Sequence, residues 1–299
     1  MDGVGLPFHP DDPSFNRANA LYLAYASDIA YDRAPAVAAW ERLGLKALAF
    51  RNKVTRTRGF IGICDTHAVL SFRGSDPLTL QAWVTDAFAG LVERAEYEGR
   101  VHLGFSSVLK RTWKSLEVLL ETAEDKPLFI TGHSMGGALA VLTGCRIAKR
   151  GRPPAAIYTY GSPRVGDLAF CAGYALPTYR VVNRLDLVPE LPLPSIRKLL
   201  PAKARNAGKK IGAKLKRFAE RAPSYGHVKT FVYIDRDGQV ITDADVEPWH
   251  TAAVARAIAT RGKSFHEGLT DHMITSYIRG LEGQAGINHV VVRRRIRTN

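Results

Sequence analysis

The chain has 299 residues, 46% of them apolar and 9% aromatic, which is enough material for one large α/β core and excludes a disordered chain. Three cysteines, Cys64, Cys145 and Cys171, are too few and too scattered for a disulfide framework or a zinc-ligand spacing, so a reducing compartment and no metal or cofactor are expected. The formal charge of +14 favours adhesion to anionic surfaces, phospholipid headgroups or nucleic acid, and says nothing about fold.

At the N-terminus Asp2, Asp11 and Asp12 stand where a secretion leader would be basic and then apolar, and nowhere does an uninterrupted apolar run reach about 18 residues. The expectation is a chain without signal peptide or membrane span, cytoplasmic or peripheral at a membrane, with leaderless export left open. Residues 14–31 place Ala18, Leu21, Tyr22, Tyr25 and Ile29 three or four apart, the stripe of a helix opened by Ser14. Strand-like runs follow at 45–50, 59–64 and 67–72. A second helical pattern runs through Phe105, Val108, Leu109, Leu116 and Leu120, and Pro127 breaks it before the strand LFITG. Residues 136–150 read as a helix stopped by Gly151 and two prolines. AAIYTY and YRVVN are further strands, and YIDRDGQVIT is a hairpin around Asp-Gly. Short apolar strands alternating with helices imply α/β architecture, a mainly parallel sheet with helices on both faces, in which function gathers at strand ends.

Residues 128–141, LFITGHSMGGALAV, hold Ser134 between Gly132 and Gly136. This is G-x-S-x-G with an apolar strand before it and an apolar helix after it, the setting of a nucleophile elbow. The serine backbone in such a turn is strained, and neighbours two residues away must lack side chains that would collide. The helix beginning at Met135 aims free N–H groups at the place where an oxyanion would form. A phosphate loop would need a lysine before the serine or G-x-G-x-x-G, and neither is present.

A serine hydroxyl needs a base within hydrogen-bond reach, and the base needs a carboxylate. In elbow-bearing folds both follow the serine, acid first. Asp186 lies three residues past YRVVN, in a loop that Pro189 and Pro192 keep from becoming helix. Asp167 competes but reads as an ordinary helix cap in RVGDLAF, and Asp235, Asp237, Asp243 and Asp245 lie at or near the hairpin. His272, at the mouth of a final helix in LTDHMITSYIRGLEG, is favoured as base over the nearby His266. His227 fits a structural hydrogen bond, while His133 and His102 are candidates to wall the site without titrating.

The motifs FITGHSMGG, YTYGSPRVGD, VVNRLDLVPELP, YGHVKTFVYID and DHMITSYI, preceded by LSFRGSDPLTLQAWVTDAF and VHLGF, occur in an order that resembles the class 3 lipase family of α/β-hydrolases over roughly residues 45–280. The family includes fungal triacylglycerol lipases and plant plastid phospholipases. The resemblance implies one α/β-hydrolase domain over 1–299, with Ser134 as nucleophile, Asp186 as acid and His272 as base. It also implies an oxyanion hole from Ser75 and the backbone N–H of Met135. A lid is implied over 76–90, where Leu78, Leu80, Trp83, Val84 and Phe88 would cover an acyl-binding cleft; a plain core helix is the competing reading. Arg73 reads as a structural ion-pair partner.

Between acid and base the chain departs from that pattern. Residues 197–221 hold ten Lys/Arg and one acid, with Ile211, Leu215 and Phe218 at helical spacing. This is the pattern of a basic amphipathic insertion, 196–221, able to lie on an anionic bilayer; a solvated surface helix competes, and nucleic-acid contact is disfavoured. The expected activity is hydrolysis of glycerolipid acyl esters, as a triacylglycerol lipase or a phospholipase A, through an acyl-enzyme. A soluble short-chain esterase and an acyltransferase are rivals within catalysis. A membrane- or nucleic-acid-binding module on an inactive hydrolase fold is the rival outside it.

Overall fold

Val69, Phe129, Tyr158, Val181 and Val232 alternate along five successive strands with neighbours that are also apolar, so both faces of the pleat must be covered. The computed structural model describes residues 6–12, 14–31, 36–75, 90–192, 224–242, 246–260 and 262–283. The whole basic insertion 196–221, all five lid residues from Leu78 to Phe88, and Asp243 and Asp245 lie outside the described residues.

Among the described residues an eight-stranded sheet has the order β1 (Lys46–Arg51), β2 (Arg58–Ile63), β3 (Ala68–Phe72), β6 (Leu128–His133), β7 (Ala156–Tyr160), β9 (Thr178–Asn183), β11 (Thr230–Ile234), β12 (Val240–Ile241). The strands from β3 to β11 run parallel, and both edges are antiparallel. A four-stranded antiparallel sheet of β4 (Leu91–Glu93), β5 (Arg100–His102), β8 (Gly166–Asp167) and β10 (Tyr225–Gly226) was not foreseen. Its strands are two or three residues long, too short to carry any periodicity.

Leu70, Phe72 and Ile130 on one face pack with α3 (Leu103–Glu121) and α4 (Met135–Ala148). Val69, Phe129, Tyr158 and Val181 on the other pack with α1 (Arg17–Ile29), α2 (Ala36–Glu41) and α8 (Ile274–Glu282). The cap of α1 is Asn16 and not Ser14: the Asn16 side-chain oxygen Oδ1 accepts from the N–H groups of Ala18 and Asn19, while the Ser14 hydroxyl donates to Asp12. Both side chains have the chemistry of a cap, and the tertiary contacts chose the later one. Three further helices complete the described elements: α5 (Leu168–Gly173), α6 (Val246–Thr260) and α7 (Lys263–Asp271).

Because β6 and β9 are parallel, they end on the same edge of the sheet, β6 at His133 and β9 at Asn183. The loop after β9 turns into a short 3-10 helix, Val188–Glu190, whose last residue is anchored in the interior. Glu190 is buried, accepts from Arg164 and His250, and takes a further hydrogen bond from the Thr251 hydroxyl at 3.0 Å. Burial alone would raise the pKa of this carboxyl, but the His250 hydrogen bond and the Arg164 charge outweigh it and hold the group at about 2, against the ordinary 4.5.

A folded-state value below the unfolded one stabilises the fold in full above the unfolded pKa, and the contribution is lost as pH falls through about 4.5 toward 2. Glu190→Gln therefore gives a flatter stability profile across that acid window. At pH 7 it is less stable by about 3 kcal/mol, because Arg164 is left buried without its counter-charge. Urea titrations of both proteins from pH 7 down to 3 read both effects, and parallel acid limbs would refute the assignment.

Candidate active site

Ser134 joins β6 to α4 with φ 58° and ψ −131°, a left-handed backbone that a side chain rarely adopts. Its N–H donates to the Tyr160 carbonyl at 2.9 Å, and its own carbonyl accepts from Gly137 at 2.9 Å. The two flanking glycines are required by contact. A Cβ on Gly132 would stand 2.3 Å from the Gly136 carbonyl carbon, and one on Gly136 would stand 2.4 Å from the Phe72 carbonyl oxygen. The turn is thus compressed between β3 and α4, and the serine takes up the strain.

Asp186 follows β9 by three residues in a turn closed by its own N–H on the Asn183 carbonyl at 2.9 Å. The side chain has no exposed surface. His272 Nδ1 donates to it, at 2.9 Å from Oδ1 and 2.8 Å from Oδ2, the Val188 N–H donates to Oδ1 at 2.9 Å, and the Tyr277 hydroxyl donates to Oδ2. The Tyr277 hydroxyl keeps its proton: burial first, then the Asp186 charge beside it, push its pKa well above the ordinary value.

His272 caps the C-terminus of α7 and lies one residue from the cap of α8, as the expected loop-to-helix position requires. With Nδ1 donating to a carboxylate, the neutral ring carries its lone pair on Nε2, which is buried and makes no hydrogen bond. That is the tautomer a general base needs. The acid and base segments are tied directly. Asn183 Nδ2 donates to the Asp271 carbonyl at 3.0 Å, and the Leu185 N–H donates to the Asp271 carboxylate at 3.1 Å. Gly161, at φ 58°, lets the chain leaving β7 pass close beneath the pair: a Cβ there would fall 2.5 Å from Asp186 Oδ2 and 2.8 Å from His272 Nδ1. Since Ser134 is bonded to Tyr160, the next residue back, Ser134 and the Asp186–His272 pair are built on one short piece of backbone.

Ser75 and Met135 are also brought together. The Ser75 hydroxyl donates to the Met135 sulfur at 3.6 Å, a weak acceptor that an oxyanion would displace. Gly74 packs so close to the elbow that a Cβ on it would be 3.1 Å from Ser134 Cβ. Met135 begins α4, so its N–H belongs to the unsatisfied end of that helix.

The rejected candidates sit elsewhere in distinct roles. Asp167 caps α5 through the Phe170 N–H and pairs with Arg100 at 3.0 Å. Asp235 accepts from the N–H groups of Asp237 and Gln239 in the β11–β12 turn. His266 lies on the exposed side of α7, and burial holds the His227 ring well below its ordinary pKa. His102 caps α3, its Nδ1 accepting from the Phe105 N–H at 3.3 Å, and burial lowers its pKa to about 4. Arg73 lies over the Tyr31 ring at 5.5 Å.

Sequence reasoning missed Tyr277, which stands five residues after His272 in DHMITSY; its only sequence signal is an aromatic carrying a hydroxyl on the inward face of the final helix. Tyr277→Phe removes one of the donors that hold Asp186, a hydrogen bond to a charged group. The expected result is a folded protein whose kcat for a p-nitrophenyl ester falls about tenfold, with KM unchanged, since the contact orients the acid and touches no substrate. A rise in KM at constant kcat would contradict that role.

The sequence profile of the class 3 lipase family, "Lipase (class 3)", matches residues 69–196. A lipase of Caenorhabditis elegans is 30% identical over 218 residues, 64% of this chain and 60% of the relative. A secreted mono- and diacylglycerol lipase of Penicillium cyclopium is 33% identical over 156 residues, 48% and 49% of the two chains. The chain thus spans about half to three fifths of the length of these curated relatives. Among solved structures, the triacylglyceride lipase of Rhizomucor miehei superposes with a TM-score of 0.57 at 23% identity, over 75% of this chain and 83% of that one. The mono- and diacylglycerol lipase of Aspergillus oryzae gives 0.55 at 23% identity, over 77% and 86%. The parallel sheet and the strained serine between β6 and α4 give this chain the α/β-hydrolase fold of these lipases, and over residues 69–196 its sequence is similar to the class 3 lipase family.

Proposed function

We propose that the chain is a serine carboxylester hydrolase that cleaves acyl esters of glycerolipids through an acyl-enzyme. The observation that carries this reading is the His272–Asp186 hydrogen bond, which leaves the buried Nε2 unpartnered on a ring 4.5 Å from that of His133, the residue before the elbow serine. His272 accepts the Ser134 proton as Oγ attacks the ester carbonyl, and Asp186 steadies the resulting imidazolium. The Met135 N–H and the Ser75 hydroxyl receive the charge that develops on the carbonyl oxygen. The imidazolium then returns its proton to the departing alkoxide, freeing the glycerol portion. Water, activated by the same ring, resolves the acyl-enzyme.

Glycerolipid esters are favoured because several relatives at 33–35% identity are secreted mono- and diacylglycerol lipases. A second observation agrees. Ser134 and His272 are only 2% and 1% exposed, which on this reading fits a site whose access depends on an opening motion. A lipid surface that stabilises an exposed apolar lining favours the open form, which is how interfacial activation arises. The basic stretch 196–221 adds an electrostatic attraction to anionic headgroups, each Lys or Arg near such a surface contributing about 1 kcal/mol.

A fluorophosphonate probe is expected to label the wild-type chain and to leave Ser134→Ala unlabelled, with kcat lower in the variant by about 10⁴-fold or more. Hydrolysis rate should climb as a medium-chain ester passes its solubility limit; a smooth saturation curve through that point would favour a soluble esterase. Binding to phosphatidylglycerol vesicles should weaken when Lys209, Lys210, Lys214 and Lys216 are all made Gln, and undiminished affinity would remove the headgroup contact.

A further inference from the structure

We propose that His133, the residue before the nucleophile, is a positioning residue for the general base: a neutral strut between Tyr31 and the main-chain carbonyl of His272. This rests on the hydrolase reading given above and adds a role for two side chains that take no part in the proton transfers.

The donor and acceptor pattern is forced by chemistry. His133 Nε2 lies 2.6 Å from the His272 carbonyl oxygen, which only accepts, so Nε2 carries the proton. A neutral ring then has its lone pair on Nδ1. The Tyr31 hydroxyl, 2.7 Å from Nδ1, is therefore the donor. Burial, then the proximity of His272, hold the His133 pKa well below its ordinary value, so the ring does not acquire a second proton that would break the bond from Tyr31. The two imidazole centroids are 4.5 Å apart.

The carbonyl at the far end of the strut needs a donor. His272 is the C-cap of α7, where helix carbonyls lack intrahelical partners, and the chain turns there straight into α8. The position of its backbone sets where Nε2 points. Asp186 fixes the Nδ1 side of the ring; His133 fixes the main chain from which the ring hangs, and it does so from the residue that precedes Ser134. Elbow and base are thus held by one side chain, independently of the acid.

Tyr31 is in turn well placed. It lies two residues past α1, which is tied to β6 by the Ser27–Thr131 hydroxyl contact at 2.9 Å. The oxyanion segment packs against the same strut: a Cβ on Gly74 would stand 2.2 Å from the Tyr31 hydroxyl and 2.5 Å from the His133 carbonyl. Four pieces meet at His133: the end of α1, the Gly74–Ser75 segment, the elbow and the base. A misplacement of about 1 Å between reacting groups lowers rate by about 100-fold, so a strut of this kind is felt in kcat.

The test is steady-state kinetics on a soluble p-nitrophenyl ester, with fluorophosphonate labelling and thermal melting of each variant. His133→Leu is expected to lower kcat about 100-fold with KM within about twofold of wild type and a cooperative melt. His133→Gln, whose amide N–H reaches the carbonyl, recovers at least tenfold of that loss. Tyr31→Phe lowers kcat about threefold alone and has no further effect in the His133→Leu background, because both act through one strut. In ¹⁵N-histidine spectra His133 stays the neutral Nε2–H tautomer from pH 5 to 9. Equal activity of His133→Leu and wild type, equal activity of the Leu and Gln variants, full additivity with Tyr31→Phe, or an Nδ1–H tautomer each overturn the proposal while a labelled wild type keeps the hydrolase reading standing. A wild type that neither labels nor turns over ester overturns that reading and this role with it. If His133→Leu fails to fold, the Tyr31→Phe and His133→Gln kinetics and the tautomer still decide.

Discussion

Asp186 is a carboxylate with no surface in contact with solvent, and removing such a charge from water costs several kcal/mol unless the interior supplies donors. Here it supplies three kinds: a backbone N–H two residues on, an imidazole N–H eighty-six residues away, and a phenol that burial keeps protonated. Each comes from a different element, so the loop after β9, the α7–α8 junction and the inward face of α8 must all converge on one point. The architecture of this end of the molecule follows from that requirement. The Glu190 cluster anchors the loop from behind, and the Asn183 and Leu185 bonds to Asp271 close it from the side. The His272 ring is then oriented as a consequence of satisfying Asp186.

The serine side of the site is held by a different constraint. A left-handed non-glycine residue is tolerated only where its surroundings over-determine it. Ser134 has that: a backbone bond to Tyr160 in the next parallel strand, a bond to Gly137 in its own helix, and glycines where any side chain would strike β3 or α4. Parallel neighbours β6 and β7 make the first of these possible. Their shared direction delivers the elbow and the backbone beneath Asp186 to one edge, so the strain at Ser134 and the burial of Asp186 are resolved within a few residues of each other.

How much of this was legible in the sequence varies with the range of the contacts involved. Long strands buried on both faces, and α3 with its repeat of Phe105, Leu109 and Leu116, announce themselves through local pattern. The four strands of the small sheet do not, being too short to show a period. Ser14 and Asn16 are both competent caps, and only the packing of α1 separates them. Ser134 was readable because its glycines are local necessities. Asp186 and His272 were reachable from chain order and from resemblance. Tyr277 and Tyr31 act across 91 and 102 residues, through hydroxyls that no spacing rule singles out, and they became visible only once the chain was folded.

The neutrality of His133 bears on the chemistry itself. In the proposed mechanism, His272 holding the serine proton is a cation whose counter-charge is Asp186, and both groups are buried. A second imidazolium 4.5 Å away would add like-charge repulsion at low dielectric and so oppose the proposed transfer of the serine proton. A histidine next to the nucleophile is therefore tolerable only if it stays uncharged. Burial does this thermodynamically, and the hydrogen bonds do it structurally, since Tyr31 donates to Nδ1 and leaves it no free lone pair. The same ring offers a permanent N–H dipole to the base's carbonyl without competing for its proton. A lysine or arginine here would brace the carbonyl equally well and would bring the repulsion back; an apolar residue would avoid the repulsion and leave the carbonyl without a donor. Imidazole in its neutral form meets both demands, which gives a physical reason for a histidine at this position that is separate from the reason for the histidine at 272.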